Sequence, residues 1–547
     1  MTNPSERDAG VANRSVDADI YDGIDPDAYE GRWKTLAVLC ASLIIVIVGN
    51  TVLNVALPTL QRPEAQGGLG ATNTEVQWVV DSYGLVFAGL LFTAAALGDR
   101  FGRKGALQAG LLIFGAGSLL GAFAGDPAVL IVSRAVMGVG AAFVMPSTLS
   151  ILTNVFPGRE RAKAIAIWAG ISGSGAALGP LASGLLLERF WWGSVFLVNL
   201  PIIALALAAG WKLVPKSKDA TRSPLDPVGA LLSIVGLSAL VYAIIEGPHH
   251  GWLSVESLVW FGGATIVLLA FGVWEWRVRH PMLELRLFRN PRFAVSSGGI
   301  TLVFFAMFGT FFLLAQYLQG VLEYSPLGAA VRMLPFSAVM MTVAPNTPKL
   351  VARFGADRIG MAGLSLVGVG LIGTALFRTD TGYLQLAITM SVMAGGMALT
   401  MTPMTTQLMA AVPRDRAGMG SATNDTTREL GGALGVAVLG SLLASQYASG
   451  ISSAVAGFPD DAREIAEGSI GGVAGLIADG AVPAEQAGAL LGAAKEAFVD
   501  GLTLAASIGA VVVFLAAVAV KRFLPSDRHD IEVSGEPGRQ PVAATAD

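Results

Sequence analysis

A handful of ionisable side chains stand inside apolar sequence, and they limit the chemistry open to this chain. Asp425, Arg428 and Glu429 lie three and four residues apart, spacings that give neighbouring positions on one helix face. Two acids sharing one base leave a surplus negative charge. Such a cluster either exchanges a proton near neutral pH or is a static, neutralised packing cluster; the sequence leaves both open. Asp81 is a further acid near the outer end of an apolar stretch, read equally well as a proton-exchange site or an interfacial anchor. Glu246 ends another stretch. Arg134 sits within an apolar run, where a charge is expensive and usually functional; it is expected to face the bundle interior rather than reach back to an interface. The four histidines (His249, His250, His280, His529) fall in loops or the tail. The single cysteine, Cys40, permits neither an intramolecular disulfide nor a cysteine metal site. No nucleophile, metal-ligand or phosphate-binding pattern stands out, so no catalytic residue, metal or cofactor is expected.

The elements that position these side chains are membrane helices. Of 547 residues, 53% are hydrophobic and only 14% charged, with a mean hydropathy of +0.62. A soluble protein carries roughly 25% charged residues. The net charge of −4, without a basic tract, argues against nucleic acid as a partner. A span needs about 20 apolar residues. Fourteen stretches qualify: 36–57, 77–97, 105–124, 128–152, 164–187, 193–213, 227–245, 256–276, 294–316, 326–346, 359–377, 383–410, 418–444 and 498–520. The acidic segment at 1–34 lacks the basic start and apolar run of a signal peptide. It reads as a disordered tail, as does the end of the chain.

Charge sets the orientation. With the N-terminus inside, the inside segments hold 28 Lys and Arg and the outside loops 5; three more (Arg134, Arg332, Arg428) lie in or at the edges of spans. This predicts that both termini are cytoplasmic. It also checks the count, because a missed span would invert every later loop. Residues 447–495 are Gly/Ala-rich with scattered acids, and are expected to be an external loop with short surface helices.

The two ends of the chain echo each other. Arg100-Phe101-Gly102 returns as Arg353-Phe354-Gly355, Gly138 and Pro146 as Gly395 and Pro403, and Gly175, Gly179 and Gly184 as Gly431, Gly435 and Gly440. The offsets are 253, 257 and 256 residues. The simplest scheme is two six-helix bundles, spans 1–6 and 9–14, with spans 7 and 8 inserted. The expected domains are a tail (1–34), an N-terminal bundle (35–213), a linker with two spans (214–293), a C-terminal bundle (294–520, including the 447–495 loop) and a tail (521–547). Facing duplicated bundles are the architecture of secondary transporters, with the substrate site at the midplane.

Motifs narrow this further. The segment Leu97-Gly98-Asp99-Arg100-Phe101-Gly102-Arg103-Lys104 has glycines for a tight turn. Its Asp99 can sit against the positive N-terminal end of a neighbouring helix, and Arg100, Arg103 and Lys104 add inside-positive charge. It resembles the loop 2–3 signature of the major facilitator superfamily, with Ala95 where that pattern starts with Gly. Arg134, Gly138 and Gly140 resemble the helix-4 signature, with Met137 in place of Gln. The run from Gly175 through Gly179 and Pro180 to Gly184 looks like the antiporter signature of exporters, with Ser183 replacing one Gly. Small residues at this spacing let helices pack closely, and Pro180 bends the helix. Five more segments resemble the fourteen-helix drug:proton antiporter branch: Asn54-Val55-Ala56-Leu57-Pro58, Trp78-Val79-Val80-Asp81-Ser82-Tyr83, Phe196 to Pro201, Glu246-Gly247-Pro248 with Gly251-Trp252, and Ser421 to Gly431.

The resemblance implies an all-α membrane protein of the major facilitator fold, with two six-helix bundles plus two inserted linker helices in the cell membrane. It implies a secondary active transporter, not an enzyme, exporting hydrophobic drugs, antibiotics or natural products by proton antiport and alternating access. Its expected partners are a hydrophobic small molecule, protons and the lipid bilayer, and it is expected to act as a monomer. A lipid or lipid-precursor transporter of the same fold is the alternative. A membrane enzyme or receptor is disfavoured, because no segment between spans is longer than 447–495. One departure bears on mechanism. The branch often carries an Asp in the first helix, where this chain has Gly49 followed by Asn50. Asn50 hydrogen-bonds but carries no proton at neutral pH. Coupling is therefore expected from Asp425 and Glu429, with Arg428 competing with the proton, or from Asp81. Asn50, Asn54, Arg134 and Gly138 are expected in the bundle interior.

Overall fold

The computed structural model describes residues 24–60, 68–217, 226–478 and 480–525; most of both expected tails lies outside the described residues. The spans are α1 (Arg32–Thr51, continued by Leu53–Leu60), α2 (Asn73–Phe101), α3 (Arg103–Ala122), α4 (Pro127–Val155), α5 (Gly158–Leu187), α6 (Ser194–Leu213) and α7 (Pro227–His250). They continue as α8 (Val255–Arg277), α9 (Pro291–Gln316), α10 (Leu327–Phe354), α11 (Ala356–Ala375), α12 (Tyr383–Ala410), α13 (Ala417–Val455) and α14 (Ala484–Phe523). Thirteen are long and apolar enough to cross a membrane outright. The fourteenth is α5, whose arms Gly158–Gly175 and Leu178–Leu187 meet at a bend of 42° just before Pro180.

Several starts share one design. Asp126, Asp226 and Asn290 each accept a hydrogen bond from a first-turn N–H, and each is followed by proline at the first helical position. The far ends depart from expectation. α13 and α14 run for 39 and 40 residues, so the loop expected at 447–495 shrinks to 456–483, which holds the short helices Asp460–Gly468 and Ile470–Ala478. α7 continues past Glu246, and α10 runs on to Phe354 through a turn at Ala344–Asn346. Apolar runs locate only the part of a helix that meets lipid. Once wound, an Ala-rich helix keeps gaining a hydrogen bond per residue beyond it.

The two bundles pack alike. α5 lies on α1 as α13 lies on α9, and α4 contacts α2 and α3 as α12 contacts α10 and α11. Glycines make the first pairing possible: a Cβ on Gly179 would overlap Thr51, and one on Gly435 would overlap the carbonyl of Phe305. Gly102 and Gly355 end the repeated Arg-Phe-Gly turns at φ of +122° and +90°, which other residues rarely adopt. Across the interface, α2 packs on α13 and α10 packs on α5. Under the repeat α2 matches α10 and α5 matches α13, so the two seams exchange, as a pseudo-two-fold axis requires.

The inserted pair breaks this symmetry. α7 packs on both α2 and α13 and so covers that seam, while α8 packs on α7. Leu258, Val259, Ile266, Leu269 and Val273 of α8 are exposed, the apolar outer face that a bilayer solvates.

Candidate functional site

A cavity of about 1100 Å³ lies beneath the α2/α13 seam. Gln77, Val80, Asp81 and Gly84 of α2 line it, with Phe308, Phe312 and Gln316 of α9 and Arg428, Glu429 and Tyr447 of α13. Asn50 of α1, Val241 and Ile245 of α7, Trp252 and Phe498 share the wall. Apolar and aromatic walls bearing a few convergent polar groups are the usual make-up of a small-molecule site. Asp81 and Glu429, separate alternatives in the sequence, face this one cavity. The Glu429 carboxylate lies 3.4 Å from where a Cβ on Gly84 would stand, and Gly84 is one turn from Asp81.

The α13 cluster divides. Arg428 Nη1 lies 3.6 Å from Asp425 Oδ1. Arg428 also donates to Ser172 Oγ of α5, with its guanidinium 5.1 Å from the Trp168 ring and 4.6 Å from the Phe304 ring. Asp425 is buried, accepts from Asn424 Nδ2 at 3.3 Å, and does not line the cavity. Its Oδ2 has no hydrogen-bond partner among the described residues. Arg428 and Glu429 thus both line the cavity, while Asp425 stands behind them, paired with Arg428. At 3.6 residues per turn, Arg428 and Glu429 diverge by about 100° around the axis. Arg428 reaches from the cavity wall to Ser172 of the other bundle, while Glu429 faces Gly84 of α2.

Arg134 is fully buried in the N-terminal bundle. It donates to the carbonyls of Val79 (3.0 Å) and Gly49 (2.9 Å) and to Asn50 Oδ1 (3.4 Å), and its guanidinium lies 4.5 Å from the Tyr83 ring centroid. One side chain of α4 thereby ties α1 to α2 and orients Asn50 on the cavity wall. Gly138, one turn on, lets α4 approach the Tyr83 carbonyl, 2.7 Å from where a Cβ would be. At Gly49 a Cβ would lie 2.6 Å from Cζ of Phe114, so the α3 ring occupies the room a side chain there would need. The Asn54 side chain lies outside the described residues.

Far along α2 from Asp81, the loop to α3 clamps the start of α13. Asp99 Oδ2 accepts from Gly418 N at 3.0 Å, in the first turn of α13, where free N–H groups and the helix dipole favour an anion. Arg103 Nε donates to Asp99 Oδ1 at 2.6 Å, and its Nη2 donates to the carbonyls of Arg414 (3.2 Å) and Asp415 (2.9 Å). Arg103, read in the sequence as inside-positive charge, is almost fully buried. Lys104 donates to the Trp211 carbonyl at 2.6 Å, and Arg100 lies over the Phe101 ring. Gly98 packs against Ala106. Asp99→Asn removes a charge-assisted contact worth about 1.5–3 kcal/mol. Transport is expected to fall roughly tenfold while the protein still reaches the membrane, read by transport assays at matched membrane level. Undiminished transport would refute the latch.

Sequence reasoning does not single out Gln77, Phe308, Phe312 or Tyr447. Each is an ordinary residue of an apolar helix until the helices are assembled. Trp252 carries the one available signal, as part of a motif whose role the sequence does not give.

Two facing helical bundles around a seam cavity, latched at the Asp99 end, define a polytopic secondary transporter. The family model of the Major Facilitator Superfamily matches residues 39–436, and the chain belongs to that superfamily. It is 37% identical over 492 residues to the multidrug efflux pump LfrA of Mycolicibacterium smegmatis, covering 89% of this chain and 95% of that one. It is 34% identical over 508 residues to the multidrug resistance protein Stp of Mycobacterium tuberculosis, covering 90% and 92%. Among solved structures it is similar to the human organic anion transporter MFSD10, with a TM-score of 0.60, 12% identity, and 89% and 99% covered. The proton:xylose symporter XylE gives a TM-score of 0.55 at 14% identity, with 91% and 97% covered.

Proposed function

We propose that the protein exports hydrophobic drugs, antibiotics or natural products across the cell membrane in exchange for protons. The observation that carries this reading is the shared cavity, where Asp81 and Glu429 stand among aromatic and aliphatic walls. A hydrophobic compound is held by area and shape, and a proton is carried by a cavity carboxylate that alternates between neutral and charged forms. Arg428, paired with Asp425, links α13 to α5 and makes the bundle interface sensitive to charge on α13. Breaking the Asp99–α13 contact opens that end, and remaking it closes the cavity there. The names of LfrA and Stp support the drug reading.

Cells expressing the protein, challenged with a panel of toxic hydrophobic compounds, are expected to resist several of them. No change for any compound, with the protein present in the membrane, would overturn the reading. The orientation rests on the excess of 28 positive charges over 5. Reporter fusions at Ser217 and Pro525 are expected to read cytoplasmic and one at Gly468 external. A cytoplasmic signal at Gly468 would contradict both the orientation and the pairing of α13 with α14.

A further inference from the structure

The two seams between the bundles differ in what lies against them. At the α5/α10 seam the bundles touch directly: Ser337 Oγ donates to the Ser174 carbonyl at 3.0 Å, and Gly184 packs on Leu327. At the α2/α13 seam the helices also pack on each other, but a cavity lies beside the contact, and α7 of the inserted pair adds Val241 and Ile245 to its wall. The end of α7 and the turn that follows it are fastened to both bundles. Gln77 Nε2 of α2 donates to Glu246 Oε1 at 3.1 Å, and Trp252 Nε1 donates to Ser441 Oγ of α13 at 3.1 Å.

We infer that the inserted hairpin is a working wall of the cavity, and that Trp252 contacts the transported compound and selects planar aromatic cargo. This rests on the cavity being the transport cavity. The indole is held from three sides. Its one donor is engaged by Ser441, its ring stacks near Phe261 (6.1 Å between centroids, 26° between planes), and its edge lies against Gly247. A Cβ on Gly247 would stand 2.9 Å from Cζ3 of the ring, so only glycine leaves it room. With its N–H satisfied, the ring presents apolar surface to the cavity. A fixed aromatic surface costs little ordering entropy on binding and favours flat ring systems by stacking. Phe308, Phe312 and Phe498 add further aromatic surface to the cavity. An unfastened hairpin, by contrast, would be a spacer with no side chain in the cavity.

The test compares two compounds that the wild type exports, one a planar polycyclic aromatic and one aliphatic, of similar hydrophobicity. Trp252→Ala is expected to raise KM for the planar compound about two- to tenfold more than for the aliphatic compound, the range of aromatic pairing. Trp252→Phe restores most of the loss. Gly247→Ala, whose Cβ displaces the ring, and Ser441→Ala, which frees its N–H, shift the same compound in the same direction, and they carry the test if Trp252→Ala fails to reach the membrane. Equal effects on both compounds, or none on either, overturn the inference while leaving the transport reading intact. A wild type that exports neither compound overturns both.

Discussion

The double variant Asp81→Asn, Glu429→Gln is expected to abolish pH-gradient-driven accumulation, so that uptake into inverted vesicles is the same with and without a pH gradient. Both carboxylates line the one cavity, and both amides are permanently neutral. Neither can then take up a proton on one side and lose it on the other, whatever the imposed pH. Downhill movement of the compound, which needs only the cavity walls, is expected to persist. Each single variant is expected to keep part of the drive, because the other acid still faces the cavity. Asp425→Asn is expected to cost less coupling than Glu429→Gln, since Asp425 is buried against Arg428 away from the wall. Normal pH-driven uptake by the Asp81, Glu429 double variant would show that neither acid carries the proton.

A second large effect is expected from Arg134→Ala. The substitution removes a fully buried side chain that donates to Val79, Gly49 and Asn50. It leaves a void between α1, α2 and α4 that these helices cannot collapse without giving up their own contacts. Loss of packing on this scale is worth about 2–5 kcal/mol, so purified Arg134→Ala is expected to melt well below wild type and to be recovered in low yield. Arg134→Lys is expected to rescue little, because one ammonium cannot span three acceptors in a fixed fork. A melting temperature equal to wild type would remove Arg134 from the framework of the N-terminal bundle.

Much of the fold was legible because lipid demands it. Apolar runs long enough to span, the excess of positive charge in alternate loops and the recurring glycines all follow from constraints that act along the chain. Asp99 was legible as a helix-terminus ligand for a similar reason: a lone acid in a tight glycine turn has few other uses. Its partner was not, since Gly418 lies 319 residues away and offers only a backbone N–H. The burial of Arg103 was hidden for the same cause, because its acceptors are the carbonyls of Arg414 and Asp415.

The site was legible in its acids but not in its grouping. Spacing alone placed Asp425 with Glu429 on one face; that Glu429 also meets Asp81 across the cavity depends on the neighbouring α2, which no spacing within α13 reveals. The missing first-helix acid has a packing reason that no local pattern contains, the Phe114 ring seated against Gly49. The inserted hairpin reads as two more apolar stretches until α7 is found astride the α2/α13 seam.

Exchange of protons for cargo through this cavity is tested most directly by following the lumen of acid-loaded inverted vesicles with a pH-sensitive dye. A compound identified by the resistance panel is added outside, and its uptake and the lumenal pH are recorded together. Wild-type vesicles are expected to accumulate the compound above its outside concentration while the lumen becomes alkaline, in proportion to the amount taken up, and vesicles carrying the Asp81, Glu429 double variant to equilibrate the compound without concentrating it and without alkalinisation. Accumulation by the wild type with no movement of protons would contradict the account.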